Sequence, residues 1–166
     1  FNVTSDTTTF NTAVGTQAGK LMTTGVNNTL IGGLAGDGVT SGSFNTAMGS
    51  NALSGAVDNQ GSNTSVGAAS GLVCTGAGNT FLGKDAGVAV TSGNDNVLIG
   101  HDTDNVTSGS ENICIGYGAR NNSAGANSNI VIGNQIYGGG GNTVRFGTAA
   151  GTATLTLDGS DTSWAA

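Results

Sequence analysis

The sequence has no proline, only two cysteines, and charged side chains at only 8% of its 166 positions. Four basic residues against ten acidic ones leave no cationic surface for neutralising phosphates, so we expect no nucleic-acid partner. No segment approaches the roughly 20 consecutive apolar residues that a membrane-spanning helix needs. We therefore expect no membrane insertion.

The N-terminal segment also lacks recognisable features. Residues 1–10 have neither the basic nor the apolar region of a signal peptide, and the chain does not begin with Met. We expect a processed or incomplete N-terminus and assign 1–10 as a lead-in.

Glycine and asparagine are both abundant. So much glycine is common in disordered chains, but such chains are also rich in charge and proline, which this one is not.

A short motif recurs eight times: Asn, three largely apolar residues, then Gly. The copies begin at Asn11, Asn28, Asn45, Asn63, Asn79, Asn96, Asn112 and Asn129. The nearly constant step between copies is typical of a solenoid. We predict an all-β fold, a β-solenoid (β-roll) of about eight coils over 11–133, each of roughly 17 residues.

We number each coil from its Asn as position zero. Position one is β-branched in every copy: Thr12, Thr29, Thr46, Thr64, Thr80, Val97, Ile113 and Ile130. Position three is bulky and apolar: Val14, Ile31, Met48, Val66, Leu82, Ile99, Ile115 and Ile132. Position two is Ala13, Leu30, Ala47, Ser65, Phe81, Leu98, Cys114 and Val131. Because alternate strand residues share a face, we predict positions one and three inside and position two on an outer apolar face that needs cover.

The rest of each coil predicts turns and a second short strand. The Gly at position four permits a sharp turn, and position seven is small in the first seven coils. A Thr/Ser-Gly pair before most of the next Asn residues predicts a second turn. The stacked Asn side chains are compatible with a hydrogen-bonded ladder or with a simple preference of Asn for turns.

Eight coils at the strand spacing of about 4.8 Å give a rod roughly 40 Å long. Each coil buries little apolar surface while ordering several glycines, so the rod needs help from outside the chain. We predict a parallel homotrimer that covers the outer face, although a dimer or a larger bundle would meet the same need.

The period breaks after Gly133. The run from Gly138 to Gly141 interrupts it, and Asn142 resumes it with one extra residue. Residues 152–157 alternate and predict a strand. We assign 134–166 as a C-terminal β cap or tip, since solenoids need a different sequence to end their stack.

Cys74 and Cys114 lie more than two coils apart in this arrangement, beyond the Cα separation of about 7 Å that a disulfide tolerates. We predict that both are reduced and fill small apolar positions.

The repeated Asn-Thr-x-aliphatic-Gly units of residues 11–133 resemble the shafts of bacteriophage tail fibres and the heads of trimeric autotransporter adhesins, in which the unit is usually shorter. Both groups are trimeric β-structures that display an attachment surface. Residues 158–166 resemble the stretch before a self-cleaving intramolecular chaperone domain in many tail fibres. The resemblance therefore implies a virion fibre more than a bacterial adhesin.

One polar cluster could carry chemistry. His101, Asp102, Asp104 and Asn105 form an oxygen-rich stretch that could be a cation site or an irregular surface loop. Asp102 with Asp104 or Asp95 is the only plausible carboxylate pair for polysaccharide cleavage, and no nucleophile triad is suggested. We expect no catalytic, cofactor-binding or metal-binding residue, and no enzyme.

Our first hypothesis is a trimeric phage tail fibre or similar virion appendage, extracellular, whose partners are other fibre or virion proteins and a host surface glycan or protein receptor. The alternative is the head of a bacterial trimeric adhesin. A third hypothesis is an ice-binding solenoid, since threonine ladders on a flat β-face can order water. The loss of Thr at Val97, Ile113 and Ile130, and the predicted burial of that face, argue against it.

Overall fold

The fold is described from a computed structural model covering residues 9–56, 61–104 and 107–156. Within these ranges the chain is all-β, and ten strands form one sheet in chain order. The strands are β1 (Thr12–Val14), β2 (Thr29–Ile31), β3 (Thr46–Met48), β4 (Thr64–Val66), β5 (Thr80–Leu82), β6 (Val97–Ile99), β7 (Ile113–Ile115), β8 (Ile130–Asn134), β9 (Thr143–Thr148) and β10 (Gly151–Thr156). Most of the lead-in and the stretch 158–166 lie outside the described residues.

The motif strands stack in parallel and in register, so that each repeat position lies above its equivalent in the coil before. Thr12 is opposite Thr29, for example, and Ile99 is opposite Ile115. The predicted β-solenoid of about eight coils is confirmed.

The predicted second strand is wrong: in the described coils the chain after each motif strand forms turns. Ala18 N–H donates within its own coil to the Gly15 carbonyl (3.3 Å), whereas Gly19 N–H donates to Ala35 O in the next coil (3.0 Å). Because such turns use alternate N–H groups inside the coil, too few remain for a regular ladder. One three-residue strand and a run mainly of turns make each of the first five coils, and isolated parallel bridges at Asp104, Arg120 and Tyr137 interrupt that run in the last three.

The assignment of the two strand faces is also wrong, and the two faces are exchanged. Position two is fully buried from β2 to β8, including Leu30, Phe81 and Leu98, whereas positions one and three are half-buried or exposed. The reason is the parity of the strand: position two lies on the same face as the Asn at position zero, and the Asn side chain points inward.

In the interior, a small side chain at one position is accompanied by a large one at a neighbouring position. Ala47 at position two lies in the same coil as the buried Leu53 at position eight. The Phe81 ring lies between Gly71 and Gly87, each of which is at position eight of its own coil. A Cβ at Gly71 would lie 2.6 Å from that ring. Position seven is small and buried in the first seven coils, as predicted. The core is therefore one or two side chains thick.

The hydrogen-bonded Asn ladder is confirmed. Asn96 Nδ2 donates to Gly109 O at the end of its own coil (2.9 Å), and its Oδ1 accepts from both N–H and Nδ2 of Asn112 (3.0 Å each). The same bonds recur along the column, and the Asn residues at position zero from Asn28 to Asn129 are no more than 1% exposed. Each amide therefore closes one coil and joins it to the next.

The stack continues past β8 with a shift in the motif. Thr143, not Asn142, occupies position zero, because Thr143 N–H and Oγ1 both donate to Asn129 Oδ1 (3.1 and 2.7 Å). Position two of this ninth rung is Arg145, which donates to the carbonyls of Tyr137 and Gly138. β9 is parallel to β8, and β10 is antiparallel to β9.

Both cysteines are free and buried, as predicted. Burial raises the pKa of the Cys74 thiol from 9.0 to about 11, despite the opposing effect of its hydrogen bonds with Gly76 O, which accepts, and Asn79 Nδ2, which donates, and raises the pKa of Cys114 to about 12. Desolvation of the thiolate is the cause, and the two thiols are held neutral in the folded chain.

Replacing a central ladder residue should destabilise the fold. Asn96→Ala leaves the Gly109 carbonyl and the Asn112 backbone N–H buried without their partner, at about 1–3 kcal/mol for each unsatisfied group, whereas Asn112 Nδ2 keeps its bond to Ala126 O. We expect a loss of about 3 kcal/mol or more in the free energy of unfolding, measured by chemical denaturation. Asn122→Ala, at an exposed position, is the control and should change it by less than about 0.5 kcal/mol. Equal losses in the two variants would contradict the ladder's role.

The buried thiols should make the fold sensitive to alkaline pH. Their folded pKa values are raised, so their contribution to stability is complete below about pH 9 and is lost as the pH rises towards 11. The unfolded chain releases these protons first, and each thiol adds up to about 1.4 kcal/mol per pH unit to the decline. In a Cys74→Ala, Cys114→Ala variant the free energy of unfolding should fall less steeply above pH 9. An identical slope in both proteins would contradict this.

Candidate interaction surfaces

The first candidate surface is the outward side of the motif strands, which we call the strand face. It consists of positions one and three of β1 to β8. Its position-three side chains include Val14, Met48 and Leu82, which are 57%, 41% and 46% exposed. Phe146 on β9 continues this row, opposite Ile132. The strand face is therefore a narrow strip, two side chains wide, with a continuous apolar row at position three along the whole stack.

The strand face changes character along the rod. Position one is threonine in the first five coils and then becomes Val97, Ile113 and Ile130. The residue before each Asn lines one margin of the face: Phe10 and Phe44 are 73% and 63% exposed near the start. The N-terminal half thus mixes hydroxyl and apolar groups, and the C-terminal half is aliphatic.

The second candidate surface is the corner that follows each strand, at positions five, six and eight. In the first four coils positions five and six are uncharged: Thr16, Gln17, Gly33, Leu34, Ser50, Asn51, Ala68 and Ala69. From the fifth coil onward charged and aromatic side chains replace them. We call this group the polar edge: Lys84, Asp85, His101, Asp102, Tyr117, Arg120, Gln135 and Tyr137.

Contacts within one coil and between successive coils organise the polar edge. Lys84 forms an ion pair with Asp85, and His101 Nε2 lies 3.8 Å from Asp85 Oδ2. The rings of His101 and Tyr117 have centroids 5.4 Å apart and are tilted by 31°.

Position eight also changes, one coil after the polar edge begins. In the first five coils it is a residue with positive φ, usually glycine, such as Gly36 or Gly87. In the last three coils it is Asp104, Arg120 and Tyr137, which form parallel bridges with one another. Extended backbone replaces the inward turn, so this position carries a large polar or aromatic side chain.

A cleft of about 270 Å³ opens in the polar edge. It is lined by Asp102, Tyr117, Gly118, Arg120, Gln135, Tyr137 and Ala149. Arg120 Nη2 forms an ion pair with Asp102 Oδ2 inside it, and both side chains remain about one-third exposed. Ala149 comes from the turn between β9 and β10, so the end of the stack forms one wall.

The residues that the sequence singled out do not form one site. Asp102 is paired with Arg120, and Asp104 Oδ1 accepts from Ala89 N–H (3.1 Å). Asp95 precedes β6, whereas His101 and Asp102 follow it, so they lie at opposite ends of that strand. Asn105 lies outside the described residues.

Within the described part of the chain, no group of three or more His, Cys, Asp or Glu side chains could hold a metal ion.

The sequence alone did not single out four residues that line the cleft: Tyr117, Arg120, Gln135 and Tyr137. The signal was available, because both tyrosines of the chain and one of its few basic residues fall in the single stretch 117–137.

In residues 9–56, 61–104 and 107–156 there is no helix of the length and apolarity needed to cross a bilayer. No protein-family model, curated protein or solved structure matches this chain.

Proposed function

We propose that this chain is the shaft segment of a trimeric fibre that attaches to a cell surface, of the kind found in bacteriophage tails. The observation that carries the proposal is the strand face, in which a half-buried to exposed apolar row at position three runs along eight stacked coils and is joined by a second apolar row in the last three. Soluble monomers rarely leave a continuous apolar surface of this kind in water, and such surfaces mark association sites.

The thin interior supports association. The core is rich in alanine, and only Phe81, Met22 and a few aliphatic residues are large and fully buried. The energetic argument for a homotrimer therefore still holds, although the two strand faces are exchanged. Sister chains would cover positions one and three, not position two. A strip two side chains wide fits such packing, because three strips can meet around one axis.

The gradient along the strand face supports a parallel arrangement. With all chains pointing the same way, the aliphatic rungs of Val97, Ile113 and Ile130 meet their own copies. An antiparallel pair would place threonine hydroxyls such as those of Thr12 and Thr29 against aliphatic side chains, where they would lose water without gaining partners.

The C-terminal strands support a cap. Arg145 stands where most other rungs place an apolar core residue, and its guanidinium donates to two backbone carbonyls. The antiparallel β10 covers the outer edge of β9. Without it, the backbone N–H and C=O groups of that edge could pair with a strand of another chain.

The polar edge suits attachment, because it lies beside the strand face and stays accessible when that face is covered. We propose a non-enzymatic, extracellular role on a virion, with fibre or virion proteins and a host surface molecule as partners. A bacterial trimeric adhesin head is the alternative; a membrane-anchoring barrel encoded downstream would favour it, and a chaperone domain would favour the phage fibre.

The mass of the native particle tests the assembly. We expect three times the 16.0 kDa chain mass by light scattering. Leu82→Glu places a charge at the centre of the strand face and should shift the particle towards the single-chain mass, because an unpaired charge cannot be buried at an interface. Ser92→Glu, at an exposed bend of the same coil, is the control and should leave the mass unchanged. A stable single chain in the unsubstituted protein would overturn the proposal.

A second candidate function, ice binding, gains one observation from the fold. The sequence predicts a buried threonine row in the first five coils, but this row lies on the exposed strand face with a regular spacing of about 4.8 Å. A covered face cannot bind ice, so the two functions exclude each other on this surface. A single-chain particle with thermal hysteresis that Thr46→Lys abolishes would favour ice binding, and a trimer without hysteresis would favour the fibre.

A further inference from the structure

We propose that the cleft beside Gly118 binds a neutral saccharide. This inference rests on the proposed attachment function, and it names the chemical class of the surface molecule and the residues that recognise it.

The cleft exists because one side chain is missing from a column. Position six carries a side chain with positive φ in every other coil, including Asp102 and Gln135 on either side, but the seventh coil has Gly118. The column is continuous in the backbone, since Gly118 N–H donates to His101 O (3.0 Å) and Gln135 N–H donates to Tyr117 O (2.7 Å). The gap between Asp102 and Gln135 is therefore a notch of one side chain.

Aromatic rings flank this notch. Tyr117 and Tyr137 are the only tyrosines of the chain, and they are 45% and 57% exposed although both line the cleft. A tyrosine ring offers an apolar face with a polar tip. The C–H face of a pyranose ring packs on such a surface while its hydroxyls point to the sides.

The polar groups of the cleft match hydroxyls. The ion pair holds the planar groups of Asp102 and Arg120 side by side, with the carboxylate accepting and the guanidinium donating. Adjacent hydroxyls of a sugar both donate and accept, so they can bond to the two groups together. The amide of Gln135 adds a donor and an acceptor on the other side of the notch.

The charge of the cleft favours a neutral ligand. Arg120 and Asp102 neutralise each other, and Lys84 is paired with Asp85. No uncompensated cation is present among the lining residues, so phosphate or an acidic sugar would gain little attraction and would face repulsion from the Asp102 carboxylate.

The site is held in place by its neighbours. His101 packs against the ring of Tyr117, and the Ala149 N–H bonds to Asn134 O (3.1 Å), which fixes the β9–β10 turn against the coil. Groups that are ordered before binding lose less entropy when the ligand arrives.

The notch can be filled without changing the fold. Gly118 has φ +60°, a conformation that Asn tolerates, and Asn51 adopts φ +59° at the same position of the third coil. A Cβ at Gly118 would lie 3.5 Å from Gln135 Cγ, an ordinary contact. Gly118→Asn should therefore occupy the cleft, and Ala69→Asn, at the same position in the fourth coil, is its matched control.

The test uses the full chain labelled with 3-fluorotyrosine, which gives two fluorine NMR signals, both from the cleft. The probes are the methyl pyranosides of glucose, galactose and mannose, with glucuronic acid as the charged comparison. We expect at least one neutral glycoside to shift both signals in a saturable way. Gly118→Asn should weaken that binding by about tenfold or more, because it fills the space that the sugar needs. Ala69→Asn should leave it unchanged.

The proposal is overturned if none of the neutral glycosides shifts either signal, if glucuronic acid binds more tightly than all of them, or if Gly118→Asn binds as well as the unsubstituted chain. Light scattering on the same samples separates this failure from failure of the fibre. A trimer without sugar binding rejects the cleft alone, and a single chain that binds sugar rejects the assembly alone.

Discussion

The buried Asn ladder is the interaction on which this architecture depends. One side chain supplies a donor that closes its own coil, as from Asn96 to Gly109, and an acceptor that receives the next coil. The bond across the coil spans a short, nearly constant distance, so the interior must stay thin and the repeat must keep a nearly constant length. A longer side chain at position zero would place its amide too far from the strand to bond to both partners with the same geometry. The period in the sequence is thus the consequence of an amide that has to make bonds in two directions.

A thin interior has consequences for the surface. The buried side chains of a coil are mainly one at position two, a small one at position seven and, in the first five coils, one at position eleven such as Met22 or Val90. Such a coil gains little from its own core, and its strand face remains uncovered. Chemistry is confined to the corners, since the strands and inward turns are occupied by packing and by the ladder. The polar edge begins where Lys84 and Asp85 appear, and it is richest where position eight changes from an inward glycine to Arg120 and Tyr137. The same backbone change that ends the regular interior therefore brings Arg120 and Tyr137 to the cleft that Gly118 leaves open.

Much of the fold could be predicted from the sequence, because the repeat is strong and its elements are local. The number of coils, the strand at each motif, the small buried position seven and the free cysteines all follow from spacing and side-chain size. The sequence shows the extra residue at Asn142 but not its effect: the ladder ends on Thr143, because hydrogen bonds rather than residue identity determine register. The polar edge was only partly anticipated. His101 and Asp102 stand out as a local cluster, whereas Arg120, Gln135 and Tyr137 join them only when successive coils stack.

The sequence by itself determined that this chain is a stack of similar coils, since a period repeated eight times leaves few other folds open. Only the tertiary structure decided which side of each strand faces inward. Both faces of the motif are apolar, so hydrophobicity does not distinguish them, and a shift of one residue exchanges every side chain between core and surface. The Asn amide breaks that symmetry: its bonds are strong only away from water, and position two is buried because it shares a face with that amide.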